Sequence, residues 1–302
     1  MLLKDLAVQT AGKVPLSGMK SDAELASDVQ NQLISFGILD PPADGRFGPV
    51  SDWALHQFCV ATQLTYNGDL TSQIARELLG RSREKVFPIA PQDDLAGRIV
   101  QAMTALGHWI ARHPDCKNIV YVEGLNMDGE PNDNAPNKFN DVRMVLQIRK
   151  DGVPEISKIW KATTEPGTYW TQHPMEATGA ARIAFGQYKA WTVGIHHYGK
   201  PNAHEALVQA DKIRVYRDLN KDYSRTGDTL YEGVFVINQH WGYDLPDYDL
   251  GKSSAGCLVG QTKDGHKEFM ALVKSDPRYQ VNNGYRFMTT VLPAVALQNL
   301  LS

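Results

Sequence analysis

The first part of the chain carries apolar residues at helical spacing. They predict one helix over residues 25–37 and two more that begin at the capping residues Ser51 and Thr71. A fourth helix is predicted over residues 94–112, where a His-Pro pair ends the apolar pattern. The N-terminal part of the chain is therefore expected to be helical.

From Ile119 onwards the pattern changes to short apolar runs that Gly, Asn, Asp and Pro residues interrupt. Such runs predict a mostly antiparallel β domain with a few helices, the clearest over residues 266–274. Residues 81–93 are charged, contain two prolines and lack periodicity, which is typical of a linker. We therefore expect an α+β protein with a small three-helix domain over residues 1–80, that linker, and a β-rich domain over residues 94–302.

The composition is that of an ordinary globular protein, with 42% hydrophobic and 22% charged residues and a net charge of −3. This balance leaves no basic excess for a phosphate backbone or an anionic lipid, so nucleic acid is not an expected partner. The first ten residues contain no apolar signal-peptide core, and no stretch is long enough to span a membrane. We expect synthesis in the cytoplasm without a signal peptide.

The cysteines also limit the possible chemistry. Cys59, Cys116 and Cys257 are odd in number and far apart, which argues against a disulfide framework or a structural zinc site. Histidines at 196, 197 and 204 lack the helical spacing of metal ligands. The sequence therefore predicts no metal and no cofactor, and it leaves at least one free thiol.

Residues 25–80 contain an ordered series of short motifs. The series comprises a Gln-x-x-Leu helix, a DG-x-FG turn, an A-x-x-x-F helix and a closing G-x-L segment, here Gln30 to Leu33, Asp44 to Gly48, Ala54 to Phe58 and Gly68 to Thr71. This order resembles the three-helix peptidoglycan-binding domain. The resemblance implies a non-catalytic module that holds an enzyme on the cell wall and makes peptidoglycan the expected partner.

The stretch from Gly233 to Gly260 carries the clearest candidate chemistry. An apolar strand ends in His240, a polar loop follows, and Ser254-Ala255-Gly256-Cys257 closes the stretch. A cysteine attacks as a thiolate, so it needs a base such as His240 and N–H donors for the oxyanion, which the tight turn at Gly256 can offer. The alternative is a buried structural cysteine beside a surface histidine.

The same stretch resembles the signature of the L,D-transpeptidases, the YkuD-type catalytic domain. The matching positions are Ile237-x-x-His240, Leu250-Gly251 and Ser254-x-Gly256-Cys257, with Thr163 to Tyr169 similar to an upstream family motif. The resemblance covers roughly residues 119–290 and implies acyl transfer on peptidoglycan stem peptides by Cys257 and His240.

Two positions depart from the family pattern. The family histidine between Ser and Gly is Ala255 here, and the family arginine two places after the cysteine is Val259. These departures favour a wall-cleaving relative over a cross-linking one. With no signal peptide, we expect an enzyme that reaches the wall, in the periplasm or outside the cell, through lysis or dedicated secretion, as an endolysin or a secreted effector does.

A second hypothesis is a glycosidase of muramidase type on the same scaffold. Glu123 ends an apolar strand, where burial can keep a carboxyl group protonated near neutral pH as a general acid. Its partner would be one of the loop residues Asp244, Asp247 and Asp249, which are alternatively plain turn residues. A third hypothesis is a wall-binding protein without catalysis.

Four further residues are predicted to contact substrate near the Cys–His stretch: Trp241, Asp244, Tyr169 and His196. The aromatic members of this set could stack on sugars, although most aromatic residues of a β domain belong to its core.

Overall fold

A computed structural model describes residues 1–298, which form two compact units. Within the described residues, the first unit comprises residues 1–116, 147–155 and 276–282, and the second comprises residues 117–146, 156–275 and 283–298. The first unit therefore takes in residues 81–116, whereas the sequence predicted a linker and the start of the β-rich domain there.

The first unit is mainly helical. Its helices are α1 (Leu3–Ala7), α2 (Leu16–Ser21), α3 (Ala23–Ser35), α4 (Pro49–Ala61), α5 (Ser72–Gly80), α6 (Arg83–Val86), α7 (Leu95–Ala105) and α10 (Pro277–Val281), and β1 (Lys13–Pro15) pairs antiparallel with β2 (Asp69–Thr71). The three helices expected over residues 25–80 correspond to α3, α4 and α5. The unit is larger than a three-helix module, because the other helices and the β1–β2 pair surround them.

Helix boundaries follow the caps. Thr71 caps α5 as expected, since its hydroxyl accepts the Ile74 N–H at 3.2 Å. Helix α4 begins at Pro49 rather than at Ser51, because proline fits the first helical turn, where the N–H that it lacks would have no intrahelical acceptor. Helix α7 ends at Ala105, before the predicted end at residue 112. Directly after the helix the chain turns through Gly107, which has a φ of +69°.

The segment after α7 explains why the first unit extends to residue 116. The Arg112 N–H donates to the Gly37 carbonyl at 2.7 Å, and the Trp109 indole N–H donates to the Ile34 carbonyl at 3.0 Å. These bonds fasten residues 109–112 to the end of α3, so the segment belongs to the helical unit.

Gln30 fixes the DG-x-FG turn of this unit. Its Oε1 accepts the N–H groups of Asp44 (3.1 Å) and Gly45 (2.9 Å), and its Nε2 donates to Asp44 Oδ1 at 2.8 Å. Gly45 has a φ of +69°, which glycine adopts at no steric cost, and Phe47 is buried.

The second unit is β-rich. Its strands are β3 (Asn118–Glu123), β4 (Asp141–Ile148), β5 (Pro154–Thr163), β6 (Ala180–Ile183), β7 (Gly186–His196), β8 (His204–Gln209), β9 (Ile213–Asp218), β10 (Thr229–Gly233), β11 (Gln239–Trp241), β12 (Leu258–Gly260) and β13 (Phe287–Pro293), with helices α8 (Thr168–Gln172), α9 (Lys263–Lys274) and α11 (Val295–Gln298). Eight strands close a barrel in the order β11-β12-β5-β4-β3-β13-β7-β8, and β10-β9-β6 form a separate sheet.

Most strand pairs of this unit are antiparallel, as the short apolar runs predicted. Two pairs are parallel, namely β3 with β13 and β11 with β12. The helix predicted over residues 266–274 begins at Lys263, because the Thr262 hydroxyl caps it by accepting the Gly265 N–H at 3.1 Å. Within residues 1–298, each helix is too short or too polar to cross a lipid bilayer.

Candidate active site

His240 lies on strand β11, and Cys257 directly precedes the neighbouring parallel strand β12. Gln239 pairs with Leu258 and His240 with Val259, and the Leu258 N–H donates to the Asn238 carbonyl at 3.0 Å, just ahead of the paired residues. The pairing therefore brings Cys257 next to Asn238, two residues before His240.

The Cys257 thiol is held by backbone groups. The thiol donates to the Val236 carbonyl at 3.7 Å, and the Asn238 N–H donates to Sγ at 3.4 Å. Burial raises the pKa of Cys257 to about 11, and the Asn238 N–H acts in the opposite direction because it stabilises the thiolate. The residue keeps part of its surface exposed, so a substrate can reach a sulfur that carries its proton at neutral pH.

His240 is built as a neutral base. Its Nδ1 lies 2.8 Å from the Trp241 carbonyl, which can only accept, so Nδ1 carries the proton and Nε2 keeps its lone pair. Burial, followed by the proximity of His196, holds the pKa of His240 well below its usual value. Among the described residues no hydrogen bond joins His240 to Cys257.

Ser254 and Gly256 shape the loop before the cysteine. The Ser254 hydroxyl donates to the Cys257 carbonyl at 2.9 Å and accepts the Gly256 N–H at 3.2 Å. The Gly256 amide, expected from the sequence to serve the oxyanion, is thus bonded to Ser254. What Gly256 supplies is its φ of +126° and its close approach to strand β6, where an added Cβ would lie 2.4 Å from the Ala181 carbonyl oxygen.

Asn238 connects the site, and the sequence analysis missed it. Its side-chain oxygen accepts the Gln209 N–H at 2.9 Å, which fixes the amide so that Nδ2 donates to His196 Nδ1 at 3.0 Å. The His196 ring in turn stacks on His240, with 3.9 Å between ring centroids and an interplanar angle of 11°. The position of Asn238, two residues before His240 and directly before strand β11, was the available signal.

His196 and Trp241, both predicted to contact substrate, lie in a cluster of rings around His240. Burial lowers the pKa of His196 to about 3, so its ring is neutral. Trp241 stacks on His204 with 3.7 Å between centroids, and His204 Nδ1 donates to the Asn202 carbonyl at 2.9 Å. Among residues 1–298, no three His, Cys, Asp or Glu side chains are grouped so that they could hold a metal ion.

Arg143 lies beside this ring cluster and is fully buried. Its Nη1 donates to His266 Nδ1 at 3.2 Å, and its guanidinium lies 4.1 Å from the centre of the Phe269 ring. Because Nδ1 accepts, His266 carries its proton on Nε2 and donates it to the Glu205 carbonyl at 3.0 Å. Burial lowers the pKa of both Arg143 and His266, the latter to about 3.

Glu123 does not have the environment of a general acid. Arg225 binds both of its carboxylate oxygens, at 2.6 and 2.5 Å, and the Thr164 hydroxyl donates to it at 2.6 Å. Burial alone would raise the pKa of Glu123, but these bonds and the Arg225 charge outweigh burial and lower the pKa. The expectation that Glu123 retains its proton is therefore wrong, because the sequence did not reveal its arginine partner.

The remaining predicted residues serve local structure. Asp244 pairs with Lys263, whose backbone N–H it accepts at 2.8 Å at the start of α9. The Tyr169 ring stacks on His173 with 4.9 Å between centroids, the Lys252 ammonium lies 4.0 Å from its centre, and the residue is 38% exposed.

Asp247 and Asp249, the other acidic partners considered for a glycosidase, also make local bonds. Asp247 is paired with Lys161, and Asp249 accepts the Gly251 N–H at 2.8 Å in a turn. A cavity of about 250 Å³ lies next to Asp247 and is also lined by Lys138 and Phe139. Phe139 belongs to the apolar cluster against which Cys257 packs.

Comparison with known proteins shows only weak similarity. No protein-family model matches the chain, and no curated protein matches it significantly. A fused zinc-dependent amidase/peptidase/peptidoglycan-binding domain-containing protein from Clostridium acetobutylicum aligns at 13% identity with a TM-score of 0.27, over 93% of this chain and all of that chain. An L,D-transpeptidase from Xylanimonas cellulosilytica aligns at 13% identity with a TM-score of 0.22, over 88% and 92%. TM-scores this low do not establish a shared fold, so function has to be argued from the site.

Proposed function

We propose that the protein is a peptidoglycan-acting thiol enzyme that transfers or hydrolyses acyl groups of stem peptides at Cys257. The observation that carries the proposal is that a partly exposed cysteine directly precedes β12, the parallel neighbour of the strand that carries the neutral imidazole of His240. The substrate class comes from the resemblance of residues 25–80 and 233–260 to wall-binding and L,D-transpeptidase motifs.

In the proposed reaction, His240 Nε2 takes the Cys257 proton as the sulfur attacks a stem-peptide carbonyl carbon. A free thiolate is scarce at neutral pH because the thiol pKa is about 11, so proton transfer accompanies attack. The carbon–nitrogen bond breaks, the imidazolium returns its proton to the leaving amine, and a thioester remains on Cys257. Water or a second amine then cleaves the thioester.

The oxyanion of the tetrahedral intermediate needs N–H donors. The Gly256 amide is bonded to Ser254, so the backbone N–H of Cys257 is the donor we assign. Lys138, on the cavity beside Asp247, offers a positive charge for a stem-peptide carboxylate. We assign the first unit, with its DG-x-FG turn held by Gln30, to wall binding.

Hydrolysis is favoured over cross-linking in this proposal. Val259, where the L,D-transpeptidases have an arginine, is buried in strand β12 opposite His240 and brings no charge to the site. Ala255 likewise brings no imidazole to the nucleophile loop. A site without these two side chains has fewer groups to hold a second peptide as acceptor, whereas water needs none of them.

Digestion of purified sacculi with analysis of the products by mass spectrometry tests the proposal. We expect wild type to release or alter stem peptides, and Cys257→Ala and His240→Gln to lose this activity while Glu123→Gln keeps the same products. Cys59→Ala is the matched control, since this cysteine is fully buried in the first unit.

New reducing sugar ends that persist in Cys257→Ala would overturn the thiol mechanism in favour of a glycosidase. Binding to sacculi without any product, in a protein whose Cys257 reacts with a thiol reagent, would leave only the wall-binding hypothesis.

A further inference from the structure

Gln209, at the end of strand β8, uses all of its side-chain hydrogen-bonding capacity. An amide side chain has two N–H donors and two acceptor sites. Its Nε2 donates to the carbonyls of Asp211 (2.9 Å) and Gly233 (3.1 Å), and its Oε1 accepts the N–H groups of Phe235 (3.0 Å) and Ile237 (2.9 Å). We call residues 233–237 the clamped segment, because this one side chain binds its start, middle and end.

Val236, within the clamped segment, has an unfavourable backbone conformation. Its φ is +59°, which is a genuine outlier for a β-branched residue and costs of the order of 1–3 kcal/mol. Its side chain is 68% exposed, so burial does not hold it there. The N–H groups of Phe235 and Ile237, directly before and after Val236, both donate to Gln209 Oε1, and these two bonds maintain the strained conformation.

The strained conformation places a carbonyl on the nucleophile. The Val236 carbonyl accepts the Cys257 thiol, and the Asn238 N–H donates to the same sulfur. Asn238 has separate support, since Leu258 donates to its carbonyl and the Gln209 backbone N–H donates to its side chain. The Val236 carbonyl is therefore the contact of Cys257 that depends on the Gln209 side chain.

We propose that Gln209 is a positioning residue of the active site, whose side-chain amide holds the Val236 carbonyl against the Cys257 thiol. The proposal rests on the proposed function only in taking Cys257 as the nucleophile. By accepting the S–H proton, the carbonyl keeps the sulfur in one orientation next to the Asn238 N–H until substrate arrives. It also favours the protonated thiol over the thiolate, because a carbonyl oxygen repels the anion.

Releasing the clamped segment is expected to raise the alkylation rate of Cys257 and to lower turnover. Without the Val236 carbonyl the thiol ionises more readily, so a small reagent alkylates Cys257 faster at a given pH. The sulfur is then no longer fixed for attack on a bound stem peptide, so turnover falls. A general loss of folding would not produce this divergence, because it would expose every cysteine alike.

The experiment uses the full-length protein, with iodoacetamide as probe from pH 6 to 10 and peptide mapping of all three cysteines. We expect Gln209→Ala to speed alkylation of Cys257 about threefold at pH 8, the size of one weak hydrogen bond. We expect kcat on sacculi to fall about tenfold with little change in KM, as for a misplaced reacting group.

Two substitutions at Val236 test the same point without touching Gln209. Proline fixes φ near −65° and so removes the carbonyl from the thiol, and the Val236 N–H makes no hydrogen bond within residues 1–298 that proline would break. We expect Val236→Pro to behave as Gln209→Ala does. Glycine accepts a φ of +59°, so Val236→Gly is expected to alkylate at the wild-type rate.

Gln30→Ala is the control for losing a glutamine that fixes a turn, since Gln30 makes the same kind of bonds in the first unit. Wild-type alkylation of Cys257 in both Gln209→Ala and Val236→Pro would overturn the proposal. Equal acceleration at the buried Cys59 and Cys116 would also overturn it, since the side chain would then act on folding alone. Faster alkylation of Cys257 alone in Gln209→Ala, with a wild-type protein that leaves sacculi intact, would keep the clamp and reject the peptidoglycan function.

Discussion

The Thr164 hydroxyl lies 3.0 Å from Oδ2 of Asp141 and has only one proton to give. Glu123 Oε2 lies closer, at 2.6 Å, and Asp141 also accepts the backbone N–H of Thr164 at 2.6 Å. Burial, followed by the charges of Glu123 and Glu165, raises the pKa of Asp141 well above its usual value, and these effects outweigh the backbone N–H groups that lower it. Because Arg225 lowers the pKa of Glu123, we assign the charge of this pair to Glu123 and the proton to Asp141.

This assignment predicts unequal costs for the two amide substitutions. Glu123→Gln leaves the Arg225 guanidinium without its carboxylate and should lower the free energy of unfolding by about 3–5 kcal/mol. Asp141→Asn replaces a neutral group by a neutral group and should cost about 1–2 kcal/mol, for the Thr164 N–H that it no longer accepts. Urea unfolding of both variants measures the difference, and equal costs would mean that Asp141 is charged.

The two groups of the proposed active site predict different pH dependences for two reactions of the same sulfur. The pKa of His240 is lowered, so the ring is a free base from well below pH 6 upwards, and turnover should be level between pH 6 and 8. Alkylation needs the thiolate, and with a thiol pKa of about 11 its rate should rise about tenfold per pH unit over that range.

Initial rates on sacculi and on iodoacetamide, followed in parallel, measure both profiles. His240→Gln should abolish turnover and leave the slope of the alkylation profile unchanged. Turnover that rises with the same slope as alkylation would show that free thiolate attacks and that His240 is not the base.

Sequence patterns brought out the candidate nucleophile because its signal is local. A strand that ends in His240 and a glycine turn before Cys257 lie in one stretch of the chain, and the structure has His240 on β11 and Cys257 directly before the neighbouring strand β12. The partners of these residues come from distant positions. Gln209 and Asn238 act through contacts that periodicity does not encode, and Arg225 neutralises Glu123 across 102 positions of sequence. Burial alone predicted a protonated Glu123, but its distant partner Arg225 lowers the pKa of this carboxyl group.

A buried ion cluster in the first unit gives a prediction about stability. Arg278 is 2% exposed and pairs with Asp276 and Asp40, which are also fully buried. Arg278→Met removes the buried cation that both carboxylates share and should cost about 3–5 kcal/mol. Lys267→Met breaks an exposed pair with Asp264 and should cost no more than about 0.5 kcal/mol. Urea unfolding followed by Trp109 and Trp53 fluorescence compares the two, and similar costs would contradict the assigned burial.

Gly256 gives the sharpest test of the nucleophile loop, because a matched glycine lies in the same unit. Gly256 and Gly227 both have positive φ, at +126° and +89°, so alanine strains the backbone at either position by about 1 kcal/mol or more. Of these two glycines, only Gly256 would bring an added Cβ against backbone, 2.4 Å from the Ala181 carbonyl oxygen, whereas nothing lies within 4 Å at Gly227.

Gly256→Ala has to move the loop away from strand β6, and with it the Cys257 N–H that we assign to the oxyanion. We expect Gly256→Ala to lower kcat on sacculi by at least about a hundredfold, the usual effect of losing an oxyanion donor, and Gly227→Ala to keep wild-type turnover. Full activity in Gly256→Ala with an intact fold would mean that the oxyanion is held elsewhere.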